Sequence, residues 1–376
     1  MEEPARPRLL LASSIHRWND VRIYHKQAKS LMSKYDVTVM GVTSQGIAID
    51  GLSVVELPVP SSLLGRLMNA MRILKTGVVG GARVIHFHDP ELIWIGLVLK
   101  IFRKKVVYDV HEDLQAVAQI RSWIPQSLKK AIGFLAHSVE LIGQWLFDGL
   151  ILAEDSYMNN FSRHNRIIVV RNFVRVSTQP LKIDLTSNNV FYAGSVTIAR
   201  GVGDLLKALA LLQREGKKIG AVIAGNMPVS ESKAINQLIS ALPNPETVHL
   251  TGYTDFDDLP SLALRCRIAT VPLRPARNYE RSIPTKILDY MNWGMPFVYS
   301  KLELTDELFG DQCGGVAYAP GDVDELARAI NLVMADSSHY SRLRRQAREK
   351  VVTFCWEIEE AALLGFFQDI LSSDSV

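Results

Sequence analysis

The sequence predicts an α/β architecture of two doubly wound parallel-sheet domains in tandem, and three observations carry that prediction. Short Val/Ile/Leu runs alternate with helical patterns from end to end. Such continuous runs mark parallel strands buried on both faces. At 376 residues the chain is too long for one ordinary core and comfortable for two. A polar, aperiodic stretch, "RVSTQPLKIDLTSNN", interrupts the alternation and reads as a linker.

Taken in order, "PRLLLASS" is a buried strand, 21–32 a helix and "DVTVMGV" a second strand. "ARVIHFH", "PELIWIGLVLKIF" and "KKVVYDV" repeat the strand–helix–strand pattern. A helical region over 124–147 leads to the strand in "DGLILAED", a helix near 156–163 and the strand in "RIIVVRNFV". Beyond the polar stretch come "NVFYAGS", a helix over 202–214, "IGAVIAGN", a helix over 230–242, "TVHLTGY" and "RIATVPL". Helices over 285–292 and 323–334 flank the strand "PFVYS". The boundaries expected are 1–178 for the first domain and 188–352 for the second, with a helical tail, 353–376, crossing back to the first domain.

Composition narrows the class. Hydrophobic residues make up 48% and charged residues 22%, a globular profile. Three widely spaced cysteines encode neither a disulfide framework nor a zinc knot. The opening "MEEPARPRLLLASS" is acidic first, with too short an apolar run for a signal peptide. "LIWIGLVLKIF" is too short to span a bilayer. The expectation is a cytoplasmic protein. A net charge of +3 and the absence of any recognition signature argue against a nucleic-acid partner. In "SSLLGRLMNAMRILKTG", Leu64, Leu67, Met68, Met71 and Leu74 fall at helical spacing, interleaved with Arg66, Arg72 and Lys75. The expected role of that stripe is packing on the protein's own core; contact with anionic lipid is the alternative.

In doubly wound sheets, ligands bind at the carboxyl ends of the strands. The first-domain candidates are therefore His16, Asp20 and Arg22 after the first strand, His88 and Asp89 in "HFHDPEL", and His111 and Glu112 in "VVYDVHEDL". His86-Phe87-His88-Asp89 imitates a metal-ligand run, but the other histidines offer no convincing third or fourth ligand, so no metal site is expected. His86 reads as a satisfied core histidine. Asp255-Phe256-Asp257 imitates a D-x-D motif but is better read as a helix cap with first-turn acids, as is the run from Asp322 to Glu325.

In the second domain, "AGSVTIARGVGDLL" runs from strand to helix. Backbone N–H groups at that helix start, with Arg200, would form an anion site. "RNYERSIPTKILDY" adds Pro284 at a helix start, Lys286 as a second cation and Asp289 as a carboxylate able to accept ribose hydroxyls. A solvated Lys286–Asp289 pair is the competing reading.

These pieces, with "VVRNFV", "AVIAGN", "VHLTGY" and "CGGVAYAPGDVDELARAI", resemble in order and spacing the retaining GT-B glycosyltransferases of the family 4 type (glycosyltransferase group 1), nearly end to end. The resemblance implies two Rossmann-like domains facing across a cleft. It implies a nucleotide-sugar donor bound by the C-terminal domain, a saccharide or lipid-linked acceptor bound by the N-terminal domain, and no cofactor or obligatory metal. It also implies a place in cell-surface polysaccharide or glycoconjugate synthesis, possible contact with an anionic membrane included.

Residue by residue, the resemblance gives Arg200 and Lys286 to the diphosphate, and Tyr253 and Thr254 to the base. Asp289 falls to the ribose and His111 to the donor sugar near the reacting carbon. Gly225 and Asn226, and Ser282, Ile283, Pro284 and Thr285, form the loops around the donor. Two positions depart from the pattern: Ser195 replaces a phosphate-binding arginine, and Arg281 stands where an acid is usual, with Glu280 one residue away. A sugar-nucleotide epimerase or hydrolase, and a non-catalytic subunit of a polysaccharide-assembly complex, remain as alternatives. A nicotinamide dehydrogenase is disfavoured because the first strand leads into "ASSIHRWND" and not G-x-G-x-x-G.

Overall fold

A computed structural model describes residues 5–44, 48–111, 138, 143, 145–161, 164, 166–280 and 282–373. The chain divides into two compact units, one formed by Met1–Asn172 with Trp356–Val376, the other by Phe173–Cys355.

The first unit has a seven-stranded sheet in the order β3-β2-β1-β4-β5-β6-β7. Its strands are β1 (Arg8–Arg17), β2 (Asp36–Val42), β3 (Ser53–Leu57), β4 (Val84–Phe87), β5 (Lys105–Val110), β6 (Gly149–Leu152) and β7 (Ile167–Val169). All pair in parallel. Helix α1 follows β1 and is π-helical over Val21–Ala28 before turning α-helical over Lys29–Leu31. Asp20 starts it by accepting the N–H groups of Arg22 and Ile23 at 2.8 and 3.1 Å. Helices α2 (Leu63–Val79) and α3 (Ile93–Ile101) cover one sheet face through Ala70, Ile73, Ile93 and Leu99. The opposite face is covered by α1 and by the final helix, designated α9 here (Trp356–Ser372). Trp356, wholly buried, donates its indole N–H to Ser30 Oγ at 2.9 Å, and Leu363 and Phe367 are equally buried. Side chains of this size contribute about 1.5–3 kcal/mol each when fully buried.

The second unit repeats the plan in a six-stranded sheet, β10-β9-β8-β11-β12-β13. Its strands are β8 (Asn189–Ala193), β9 (Gly220–Ala224), β10 (Val248–Gly252), β11 (Ile268–Val271), β12 (Phe297–Ser300) and β13 (Gly315–Tyr318), again parallel throughout. The longer helices are α4 (Val202–Arg214), α5 (Val229–Ser240), α6 (Thr285–Trp293), α7 (Val323–Ala335) and α8 (Ser337–Val351). Asp322 caps α7 through Glu325 N–H at 2.8 Å, as its position predicts.

Several expectations are corrected. The polar stretch 174–188 is no free linker but an irregular strap on the second unit. Val174 and Ile183 are buried in its core, Leu181 N–H donates to Trp293 O at 2.9 Å, and Ser177 is held by Asn292. β3 and β13 are additional edge strands. The tail expected over 353–376 holds one helix, α9, which belongs to the first unit. Asp255 stands at the start of its helical turn but makes no side-chain cap; Tyr253 donates to it instead at 3.1 Å. The helix expected from residue 124 lies, apart from a few positions near its end, outside the described residues.

Candidate active site

In the first unit the ends of β1, β4 and β5 bring His16, His88, Asp89 and His111 together around a residue that sequence reasoning missed, Asp109. This carboxylate has no exposure. Arg22 grips it bidentately, Nε to Oδ2 at 2.9 Å and Nη2 to Oδ1 at 2.8 Å, while Gln27 donates to Oδ2 at 2.6 Å. The ring nitrogens His88 Nδ1 and His111 Nε2 each lie 3.3 Å from Oδ2, and 3.0 Å from one another. Burial opposes ionisation of Asp109, but Arg22 and His111 outweigh it and hold the carboxyl well below its usual range.

Arg22, expected on the acceptor side, is 4% exposed and committed to Asp109 and to the Val170 carbonyl. Its charge therefore serves the interior. His88, expected to face the cleft, is buried at 2% exposure. His86 is buried as expected but not satisfied: neither ring nitrogen has a hydrogen-bond partner among the described residues, and its Nε2 stands 3.7 Å from Asp109. Burial first, then the neighbouring His88, push its pKa well down, so it stays neutral. Asp89, also buried, accepts from the hydroxyls of Ser13 and Ser14 at 2.9 Å each and so ties the β1 loop to the β4 loop.

What faces outward is His16, with 40% of its side chain exposed, Asp20 with 31% and His111 with 18%. The His16 and His111 ring centres are 6.0 Å apart. Glu112 lies outside the described residues. Because His111 Nε2 points inward at Asp109, the Nδ1 edge and the backbone are what it can offer a ligand.

His86, His88 and Asp109 place three potential metal-ligand atoms within 4.8 Å of one another. Counting ligands by sequence missed this trio because Asp109 was not considered. The fit to a divalent ion is nevertheless poor, since both Asp109 oxygens already accept from a guanidinium. A second cation would sit against that charge in a low-dielectric interior.

In the second unit, the turns after β8, β9 and β10 are laced by backbone bonds. Gly194 N–H donates to Ala224 O at 2.9 Å, Val196 N–H to Asn226 O at 2.9 Å, and Gly225 N–H to Gly252 O at 2.8 Å. Ser195, Gly225, Asn226, Tyr253 and Thr254 are thereby gathered at one sheet end. Gly225 has φ +153°, and a Cβ there would lie 1.7 Å from Gly194 O, so only glycine permits the approach.

Arg200 stacks over Tyr279 with 5.5 Å from guanidinium carbon to ring centre, linking the β8 loop to the segment carrying Glu280, Ser282, Ile283 and Pro284. Lys286 lies 5.8 Å from the Phe256 ring centre and 3.2 Å from Asp289. The pair is not the solvated one of the competing reading, because the Asp289 side chain is 8% exposed and that of Lys286 29%. Thr285 opens α6 beside it, with Pro284 at the N-cap. Arg281 lies outside the described residues.

One expectation is narrowed. Two N–H groups at the start of α4 are turned inward, Val202 onto Thr197 O at 3.3 Å and Asp204 onto Gly201 O at 3.0 Å. The first turn is instead occupied by the buried Asp204 carboxylate, gripped by Arg274 at 2.7 and 2.8 Å, a pair separated by 70 residues and invisible to local motif reading. Arg200 and Lys286 are cationic side chains at this sheet end.

Residues 175–350 match the family model described as "Glycosyl transferases group 1". Among curated proteins, the chain is similar to the alpha-D-kanosaminyltransferase of Streptomyces kanamyceticus, 27% identical over 158 residues covering 42% of this chain and 39% of that protein. Among solved structures it is similar to sucrose-phosphate synthase from Thermosynechococcus elongatus, with TM-score 0.74 and 16% identity over 98% of this chain and all of that one. It is also similar to Anabaena Alr3699/HepE solved in complex with UDP-glucose, with TM-score 0.71 and 17% identity over 96% of this chain and 99% of that one. Residues 175–350 thus carry a match to the glycosyl transferases group 1 family model, in a chain whose two Rossmann-like parallel-sheet units have the GT-B fold.

Proposed function

We propose that the protein is a retaining glycosyltransferase of the family 4 type, using a nucleotide-sugar donor without an obligatory metal. The observation that carries the donor reading is the gathering, in one unit, of Arg200, Lys286, Asp289 and three strand-end turns. Breaking the bond from the anomeric carbon to the diphosphate oxygen builds negative charge on the leaving group. Fixed cations and the dipole of α6 stabilise that charge more in the transition state than in the ground state. Asp289 accepts hydroxyls of the ribose, and Tyr253, half-exposed beside Thr254, offers a face to the base. UDP-glucose is the first donor to test, because the structurally similar Anabaena protein was solved with it.

The acceptor, a saccharide or lipid-linked saccharide of a cell-surface polysaccharide pathway, falls to the first unit. Its hydroxyl oxygen attacks the anomeric carbon on the face the diphosphate leaves, and its proton passes to the departing phosphate oxygen. The new glycosidic bond therefore keeps the configuration of the old one. His111, fixed through Nε2 by Asp109, orients the reactants and forms no covalent bond.

The test is product analysis with a donor panel, in the presence and absence of candidate acceptors. Wild-type protein should yield glycoside of retained configuration, while His111→Ala should lower turnover about a hundredfold or more, in keeping with the loss of one oriented catalytic contact. Near wild-type transfer by His111→Ala would remove that role. Donor conversion independent of any acceptor would favour an epimerase or hydrolase.

A further inference from the structure

Sequence periodicity assigns the apolar stripe of α2 to the protein's own core; the structure packs Leu74 against that core but turns Leu64, Leu67, Met68 and Met71 outward. The helix packs inward through Asn69, Ala70, Ile73 and Gly77. Leu63, Leu64, Leu67, Met68 and Met71 are 81, 65, 48, 49 and 49% exposed. Helix α3 lies beside it on the same sheet face, where a Cβ on Gly77 would meet Leu99 at 2.9 Å. It adds Trp94, Ile101 and Phe102, exposed at 39, 79 and 53%. Exposed apolar side chains gathered on neighbouring helices mark a place of contact.

Charge selects the partner. Between Glu56 and Glu91 the single acidic residue is Asp89, which is buried, whereas the chain has Arg66, Arg72, Lys75 and Arg83 there. Between Glu91 and Asp109 it again has none, but has Lys100, Arg103, Lys104 and Lys105. Arg66 is paired with Glu91 and Lys100 with Asp148, whereas Arg72 and Lys75 are exposed beside the apolar face. An apolar face bordered by basic side chains, with its neighbouring acids Glu91 and Asp148 already paired, complements an anionic lipid surface: the apolar residues enter the acyl boundary and the cations meet the headgroups. No helix among the described residues is long and apolar enough to cross a membrane, so the contact is peripheral.

We infer that the outward faces of α2 and α3 dock the protein on an anionic membrane surface. This goes beyond the transfer reaction and does not depend on which sugar is moved.

The test is co-sedimentation of the full chain with vesicles of phosphatidylcholine alone or mixed with phosphatidylglycerol. Wild-type protein should bind the anionic vesicles roughly tenfold or more tightly than the neutral ones, and less tightly as salt is raised. The triple variant Leu64→Gln, Leu67→Gln, Met68→Gln should lose most binding to both vesicle types. Arg72→Glu with Lys75→Glu should abolish the preference for anionic vesicles. Both variants should melt like the wild type, since the changed side chains are exposed.

Equal wild-type binding to the two vesicle types, or a triple variant that binds like wild type, would overturn the inference. So would a marked loss of stability in the triple variant, which would mean that the face is packed. A concentration-dependent wild-type dimer, abolished by the triple variant and seen with no vesicle binding, would assign the face to a second copy of the chain instead.

Discussion

In the first unit a wholly buried carboxylate, Asp109, is surrounded by Arg22, Gln27 and three histidines, while in the second unit Arg200 and Lys286 stand half-buried against aromatic rings. Arg22 arrives across 87 residues of sequence and makes every bond inside the protein. Arg200 lies six residues after the turn it serves and forms no ion pair among the described residues. Charge spent on internal partners builds a rigid support, whereas charge left at a strand end stays available to a ligand. The two units share one architecture and both hold a buried carboxylate on an arginine, Asp109 on Arg22 and Asp204 on Arg274; Arg200 differs in forming no ion pair among the described residues.

Removing the buried carboxylate is the severest way to break the comparison. Asp109→Ala leaves the Arg22 guanidinium buried and unpaired, and should cost about 3–5 kcal/mol of unfolding free energy by denaturant titration. A loss under about 1 kcal/mol would show that water reaches Arg22 and that the cluster is not the support described.

Acid titration sharpens the comparison with a smaller effect. His86 and His88 are both depressed, chiefly by burial. A group whose folded pKa is depressed favours the fold above its unfolded pKa, which for histidine is about 6.5, and that stability drains away as pH falls below it. Asp109, likewise depressed, adds to the loss only where carboxylates titrate, below about pH 4. The first unit should thus lose stability as pH falls below about 6.5, and His86→Leu should flatten that loss. An unchanged profile in His86→Leu would mean that His86 takes up its proton without cost. Smallest of all are the α2 surface substitutions described above, expected to leave stability within about 0.5 kcal/mol of wild type.

How much of this was legible in the sequence follows from the range of each interaction. The central strands, "RLLLASS", "KVVYDV", "NVFYA" and "GAVIA", show themselves because burial on both faces leaves continuous apolar runs. β3, "SVVEL", escapes because an edge strand is half-exposed and its run is cut by Glu56. The helical period of 21–31 is plain, but not that its first eight residues are π-helical. The loops carrying Ser195, Gly225, Tyr253 and Lys286 are local and could be read in place. Asp109 could not: within "VVYDV" it looks like one polar residue in a strand, and its partners Arg22 and Gln27 come from a distant helix. For α2 the period was read correctly and its direction inverted, because Asn69, Ala70 and Gly77, a small and partly polar set, form the buried face.

The donor site of the second unit is the central claim, and calorimetric titration of nucleotide diphosphates and their sugars, without added metal, tests it most directly. At least one nucleotide-sugar, UDP-glucose first among them, should bind the wild-type chain. Lys286→Ala should weaken that binding about tenfold or more, as loss of a charge-assisted contact requires. Binding of no nucleotide by the folded protein, or unaltered affinity in Lys286→Ala, would contradict it.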